Sequence, residues 1–325
     1  MSKAPIFILG SHKSGTSLLR SLLDGHPELY VIPFETHFMA SLGRWIKYSY
    51  RKQAPLKHEN YADNLLRIIE DYSKSKDRQT DVVLSDIIDL DAAKKYLEKT
   101  NKNLETPEEA LELFSDMLPE IIAAMGYSKG KRLVEKSVEH AEVAMELYKC
   151  FPDAKFIHIV KNPYSNFVAL RKFKSKDQGY PLINRVFDSL EIGYYFLDKN
   201  ERSIPDYKVI RYEDLAENPS IIVKDIADFL CIKFNKEMLQ PSLIGKPWSG
   251  NSAYGEFKSI SSKFLNNWKD EIHPFEANLV TDYFPHVLEK YGYEKLSKMN
   301  GSWRSAKGES LARYIYNRFF RYYLG

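Results

Sequence analysis

Eight residues near the start of the chain, Gly10-Ser11-His12-Lys13-Ser14-Gly15-Thr16-Ser17, have the composition of an anion-gripping loop. Glycines let the backbone come close to a ligand. Serine and threonine hydroxyls add donors, and Lys13 supplies a cation from inside the loop. The apolar run Ile6 to Leu9 stands ahead of it, and Leu18, Leu19, Leu22 and Leu23 follow at helical spacing until Gly25 and Pro27. This order reads as strand, loop, helix. It aims the first amides of the helix at one spot, where the helix dipole favours negative charge. Ser11 to Ser17 are therefore the candidate anion-binding residues. A plain glycine turn is the alternative that holds no ligand.

Such a loop must be carried by a sheet, and the rest of the chain supplies one. Arg132-Leu133-Val134, Lys155 to Val160 and Tyr207 to Tyr212 read as further strands. Helices are expected from about Glu142 to Cys150, from Pro163, and from Asn218-Pro219 with Ile222, Ile226, Phe229 and Leu230 on one face. Repeated strand–helix alternation implies an α/β fold, a parallel sheet flanked by helices in three layers. The stretch from about 40 to 130 reads as mostly helical and charged. Within it Thr106-Pro107-Glu108-Glu109 is a capping box, followed by a stripe through Ala110, Leu113, Phe114, Met117, Ile121, Ala124 and Met125, with Gly126 as the stop. Residues 241 to 262 read as an ordered loop. One domain over 1–300 and a tail over 301–325 are expected.

Composition narrows the function classes. The chain has 325 residues, 44% of them hydrophobic and 28% charged, enough for a sizeable core and too ordered for a disordered polymer. Lysine plus arginine is 47 against 44 aspartate plus glutamate, a formal net charge of +3, which argues against a general nucleic-acid binder. Cys150 and Cys231 form no CxxC or metal spacing, as expected for a reduced cytoplasmic protein. The N-terminus reads as neither a signal peptide nor a membrane span.

The loop nearly fits the nucleotide pattern GxxxxGK[ST], but Thr16 stands where that pattern needs lysine. Lys13-Ser14-Gly15-Thr16-Ser17 instead resembles the 5′-phosphosulfate loop of sulfotransferases that use 3′-phosphoadenosine 5′-phosphosulfate (PAPS). His26-Pro27-Glu28-Leu29, Phe156 to Tyr164, Tyr212-Glu213-Asp214-Leu215, and the late segment Trp248 to Ser252 with Lys258-Ser259 resemble other elements of that family in the same order. The resemblance implies a P-loop-like sulfotransferase fold with a helical acceptor-side insertion. It implies that Ser11, His12, Lys13, Ser14, Gly15, Thr16 and Ser17 hold the 5′-phosphosulfate. Lys161, Tyr212, Lys258 and Ser259 would serve the 3′-phosphoadenosine. Lys161 stands where the family usually has arginine, and Ala169 where it has serine, so the fork and a hydroxyl are both lost. Ser165 and Arg171 are the nearby candidates to compensate.

Sulfuryl transfer needs a base for the acceptor proton and cations for the sulfuryl and leaving oxygens. Glu35, in Pro33-Phe34-Glu35-Thr36-His37, matches the acidic residue that several carbohydrate and tyrosyl-protein sulfotransferases place after this helix; His37 is the rival base. Lys136 resembles the family's second lysine near the sulfuryl group, with Lys13 opposite. His140 reads as structural or as a substrate contact. No metal is required by this chemistry, and the product is PAP. The family implies a carbohydrate, glycolipid or peptide-tyrosine acceptor and no nucleic acid. A phosphate-loop kinase or NTPase, and a non-catalytic PAP(S) binder, are the competing readings. Leu311 to Leu324 is aromatic and basic, with no acid after Glu309. It either lies on an anionic membrane or packs on the protein's own body or on a partner chain.

These readings predict that Lys13→Ala weakens or abolishes use of PAPS in a labelled-donor assay. Wild-type kinetics in that variant would remove the loop assignment.

Overall fold

A computed structural model describes residues 4–41, 66–67, 69–71, 88–100, 106–122, 131–175, 179–248, 250, 259–301 and 303–319. Its centre is a five-stranded sheet, all parallel, in the order β2 (Leu29–Val31), β3 (Arg132–Lys136), β1 (Ile6–Gly10), β4 (Lys155–Val160), β5 (Tyr207–Arg211). The parallel register puts the C-terminal ends of the strands on one edge. Gly10 pairs with Ile159, Val160 with Arg211, and Ile8 with Lys136. In open parallel sheets this is the edge where ligands bind.

Alternation along β1 shows why the sheet is covered twice. Ile6 and Ile8 enter a core with Leu19, Leu22, Ile157, Ile159 and Ile226, while Phe7 and Leu9 enter the opposite one with Phe34, Phe38, Met117 and Phe156. All five residues of the strand are buried. A strand covered on both faces reads as a continuous apolar run, which is how this one appears in the sequence. A third core, around Tyr164, Phe167, Phe187, Tyr194 and Trp268, joins the helices beyond β4.

The helices follow their local signals. The helix α1 (Thr16–Leu23) starts at Gly15. After α2 (Phe38–Ser41) and α3 (Leu90–Thr100) comes α4 (Pro107–Ile121), where Glu109 N donates to Thr106 Oγ1 at 3.2 Å and Thr106 N donates to Glu109 Oε2 at 3.1 Å. This is the expected capping box, with proline where the missing amide costs nothing. The helix stops at Ile121, short of the expected Gly126, and residues 123–130 lie outside the described residues. The chain continues through α5 (Ala144–Cys150), α6 (Pro163–Ser175), α7 (Ile183–Tyr195), α8 (Leu197–Ser203), α9 (Tyr212–Glu217) and α10 (Pro219–Leu230). It ends with α11 (Pro274–Tyr283), α12 (Pro285–Lys290) and α13 (Leu311–Phe319). Among the described residues no helix is long and apolar enough to cross a membrane.

Two local expectations change. The three-residue edge strand β2 is too short to show a period, so the sequence reads only as a segment after α1. Tyr212 begins α9 instead of ending β5, and its ring lies against the loop at Gly15.

Candidate active site

The loop between β1 and α1 is built for close approach. Gly15 caps α1 at φ 109°, with no side-chain cap and no acidic residue in the first turn. A Cβ on Gly15 would lie 2.5 Å from Tyr212 Cδ2, so only glycine lets the tyrosine ring lie against the loop. Ser14 Oγ donates to Ser11 O at 2.8 Å, and Asn166 Nδ2 of α6 donates to Ser11 Oγ at 2.7 Å. From behind, α7 brings Gly193 so close that a Cβ there would sit 2.4 Å from Ser11 N. Ser11, Ser14 and Thr16 are buried, while Ser17 is half-buried. Lys13, at φ 61°, holds its ammonium 4.5 Å from the centroid of the Phe173 ring.

On the adjoining side, Lys161 Nζ lies 4.4 Å from the centroid of the same Tyr212 ring. Desolvation pushes the Lys161 ammonium down to about 8, against a smaller upward pull from Glu213. Glu213 accepts from Asn162 N at 3.0 Å and Tyr293 OH at 2.9 Å, and Tyr194 OH donates to Lys161 O at 2.7 Å. The turn carrying Lys161 is therefore held from three sides. Arg171, the sequence's candidate to replace the missing arginine, is committed elsewhere: its Nη1 reaches Glu276 Oε2 at 2.6 Å, and Glu276 is fully buried. Ser259 is exposed, and Lys258 lies outside the described residues. His26, within His26-Pro27-Glu28-Leu29, is structural. Its Nε2 lies 2.9 Å from Lys233 O, and its Nδ1 accepts from Glu28 N at 3.2 Å.

The candidate proton acceptor stands at the end of β3. Lys136 Nζ donates to Glu35 Oε1, and His37 Nε2 lies 3.7 Å from Glu35 Oε2. His37 Nδ1 lies 2.7 Å from Glu139 Oε1. Burial by itself would raise the Glu35 carboxyl, but the Lys136, His37 and His12 charges outweigh it and hold it down to about 2. Burial would lower His37, yet the Glu139 charge and hydrogen bond, with Glu35 and Glu135 adding, raise it above its ordinary value. His12 of the loop is pushed down to about 3 by desolvation, with Glu35 opposing and Lys174, Lys136 and His37 adding to the fall. Loop and acid cluster thus feel one another directly.

Beneath them lies a second buried carboxylate. Glu135 Oε1 accepts from Thr36 Oγ1 at 2.7 Å and Ser137 Oγ at 2.6 Å, and Glu135 Oε2 lies 2.7 Å from His140 Nδ1. Ser137 Oγ in turn accepts from His37 N at 3.1 Å. Arg20 of α1 donates to Pro33 O at 2.5 Å. The Pro33–His37 segment, with His37 at φ 48°, is pinned from α1 and from β3. Glu135, Glu139, Asn166 and Gly193 were not singled out by the sequence reading. The available signal was two glutamates spaced around Lys136 in a segment otherwise fit for burial. Glu35, His37 and Glu139 also bring ligand atoms within 4.8 Å of one another. Two of these donors already face a side-chain partner, Glu35 through Lys136 and Glu139 through His37.

A model of the sulfotransferase family matches residues 5–236, and the chain belongs to that family. The omega-hydroxy-beta-dihydromenaquinone-9 sulfotransferase Stf3 of Mycobacterium bovis is 24% identical over 329 residues, 94% of this chain and 79% of that protein, and the Stf3 of Mycobacterium tuberculosis matches to the same extent. Among solved structures, the sulfotransferase domain from the curacin biosynthetic pathway superposes with a TM-score of 0.60 at 21% identity, covering 91% of this chain and 99% of that one. The sulfotransferase domain of the Synechococcus PCC 7002 olefin synthase gives 0.62 at 20% identity, covering 90% and 96%. These two likenesses bear out the α/β sulfotransferase fold. The enzyme is a sulfotransferase.

The buried pairs make stability depend on pH. His37 and His140 are both raised by buried glutamates, so the stability they add is complete below about 6.5 and fades as pH rises through their raised values. His140→Ala removes the imidazole hydrogen-bonded to the buried Glu135 Oε2 and is expected to cost about 3–5 kcal/mol near pH 6. The penalty is expected to shrink at a second, alkaline pH, as the raised wild-type imidazole loses its proton. Urea unfolding at both pH values measures it, and equal penalties would contradict the pairing.

Proposed function

We propose that this sulfotransferase moves a sulfuryl group from PAPS to a hydroxyl of its acceptor, with the donor held by the Ser11–Ser17 loop and Glu35 taking the acceptor proton. The reading rests first on one observation. Ile8 of β1 pairs with Lys136 of β3, and Lys136 Nζ donates to Glu35 Oε1, so the loop that follows β1 and the candidate proton acceptor lie at neighbouring strand ends of the same sheet edge.

The donor supplies the sulfuryl group and a phosphate leaving group. The chain's own residues fit both ends of it. Amides at the uncapped start of α1 and the hydroxyls of Ser14, Thr16 and Ser17 suit the 5′ end. Lys161, between Tyr212 and the Glu213-anchored turn, suits the 3′-phosphate. It does so as a point charge without arginine's fork. Lys13, on a flexible stem, suits the leaving phosphate.

In the transfer, the acceptor oxygen forms a bond to sulfur, the bond from sulfur to the nucleotide phosphate oxygen breaks, and the acceptor proton passes to Glu35. A carboxyl held at about 2 is a poor base while Lys136 clamps it. Sharing the Lys136 charge with the sulfuryl oxygens lifts Glu35 toward its ordinary value when a base is needed. His37, raised by Glu139, carries its own proton below that raised value and serves better as a donor toward Glu35 than as the base.

For the acceptor we propose a hydroxyl on a lipid-like molecule. The support is the Stf3 relatives, whose name gives them an omega-hydroxy menaquinone substrate. The family resemblance alone implies a carbohydrate or glycolipid hydroxyl first and a peptide tyrosine second; the motifs do not specify the acceptor.

Three measurements test this. Glu35→Gln is expected to lower kcat by about 10²–10⁴-fold with donor KM nearly unchanged, while His37→Gln costs less. The opposite ranking would transfer the base role to His37. The donor KM of the wild type is expected to rise as pH passes about 8, where Lys161 loses its charge, and to stay flat in Lys161→Arg. In thermal shift, 3′,5′-ADP is expected to stabilise the protein and ATP with magnesium is not. The reverse would favour the kinase reading, and 3′,5′-ADP binding with no transfer to any acceptor would favour a non-catalytic binder.

A further inference from the structure

Helix α13 turns Asn317, Arg313 and Arg318 toward the protein beside Tyr316, which packs on the core, and leaves three of its apolar side chains exposed to water. Its inner face is fixed by hydrogen bonds. Asn317, 1% exposed, accepts from Ile183 N at 2.9 Å and donates to Glu309 Oε1 at 2.9 Å. Arg313 donates to the Tyr180 carbonyl, and Arg318 pairs with Glu309 at 3.1 Å while lying 3.6 Å over the Phe275 ring. The rotation of the helix about its axis is thereby set.

The outer face is apolar. Leu311, Ile315 and Phe319, at i, i+4 and i+8, are 75%, 50% and 45% exposed. Trp303, 65% exposed, extends the stripe with its ring centroid 6.4 Å from that of Phe319, and its carbonyl accepts from Tyr314 OH at 2.6 Å. Exposed apolar residues scattered singly need no explanation, whereas four in one row on an anchored helix do. Around them the charge is one-sided. Of the cations between Trp303 and Phe319, Arg313 and Arg318 are engaged on the inner face while Arg304 and Lys307 are exposed, and Glu309, the one acid of the stretch, is paired with Arg318. The chain then continues Phe320-Arg321-Tyr322-Tyr323-Leu324-Gly325, again aromatic and basic with no acidic side chain.

We propose that this face seats the enzyme on an anionic lipid surface, with Leu311, Ile315, Phe319 and Trp303 entering the headgroup boundary and the flanking cations meeting lipid charge. An apolar stripe, tryptophan and tyrosine at its rim and a basic flank are the features that hold interfacial helices in place. A second copy of the chain is a poorer occupant, because a two-fold contact would set this basic patch against itself. The inference is independent of the transfer chemistry, since none of these residues belongs to the candidate active site.

The test is co-sedimentation of the full chain with vesicles of phosphatidylcholine and phosphatidylglycerol in equal parts, and with phosphatidylcholine alone. Binding to the anionic vesicles, weakened by salt, is expected. Leu311→Gln/Ile315→Gln/Phe319→Gln is expected to lower partitioning by about tenfold or more, with thermal midpoint and turnover on a water-soluble acceptor unchanged. Arg304→Glu/Lys307→Glu, at two exposed positions, gives an independent variant and is expected to weaken anionic binding alone. Pelleting no greater than without vesicles, unchanged binding in both variants, or a concentration-dependent dimer in ultracentrifugation that the triple variant abolishes while vesicles go unbound would overturn the proposal.

Discussion

The arrangement of this enzyme's reactive edge hangs on a carboxylate that no solvent reaches. Glu135, at the penultimate position of β3, is fully buried and takes hydrogen bonds from Thr36, Ser137 and His140. A buried charge is tolerable only when its partners are all in place. The requirement works in both directions. It fixes the carboxylate, and it fixes Thr36, which stands between Glu35 and His37 in the chain. Together with the Ser137 hydroxyl under His37 N, it determines where two chemically capable side chains can be. Glu139 repeats the device one step further along, orienting the His37 ring through Nδ1. The reactive groups are thus held by a polar layer that is itself locked into the end of a parallel sheet.

The other half of the edge is positioned by shape instead of charge. Tyr212 lies against Gly15 on one side and under the Lys161 ammonium on the other, so one ring ties the anion loop to the turn after β4. Asn166 of α6 fixes the Ser11 hydroxyl. Elements far apart in the chain meet here because β1 pairs with β3 and β4, which brings three strand ends side by side. An aromatic ring serving two neighbours needs no proton-dependent partner. This side of the site therefore depends on pH mainly through Lys161, whereas the Glu35 side contains several coupled titrating groups.

What could be read from the chain beforehand follows the range of the interactions. The strands at 6–10, 155–160 and 207–211, the loop between them and the capping box at Thr106 are local patterns, and they are legible. Glu35 and Lys136 were singled out through the family resemblance, one after α1 and one at the end of a strand, and the fold brings these two side chains into contact. Their mutual contact, and the pairs Thr36–Glu135 and His37–Glu139, join residues about a hundred positions apart, and no periodicity encodes such contacts. Arg171 looked available for a phosphate because its partner, Glu276, comes from a helix far downstream. His12 looked like a turn filler because the acid cluster it faces is brought to it only by the sheet. The tail was legible in composition, yet composition says nothing of which way a helix is rolled. That was decided by Asn317 and Arg313 finding carbonyls at Pro181 and Tyr180.

The approach of α7 to the loop has a consequence for any redesign of this protein. With Gly193 packed so close that a Cβ there would meet Ser11 N at 2.4 Å, the height of the loop is gauged by a helix from a distant part of the chain. Enlarging or shrinking the cradle by editing the loop would leave that gauge untouched, and the backbone would return to the same height. A side chain added at position 193 would instead lift the floor. The handle on the height of this loop therefore lies nearly two hundred residues downstream of the loop itself.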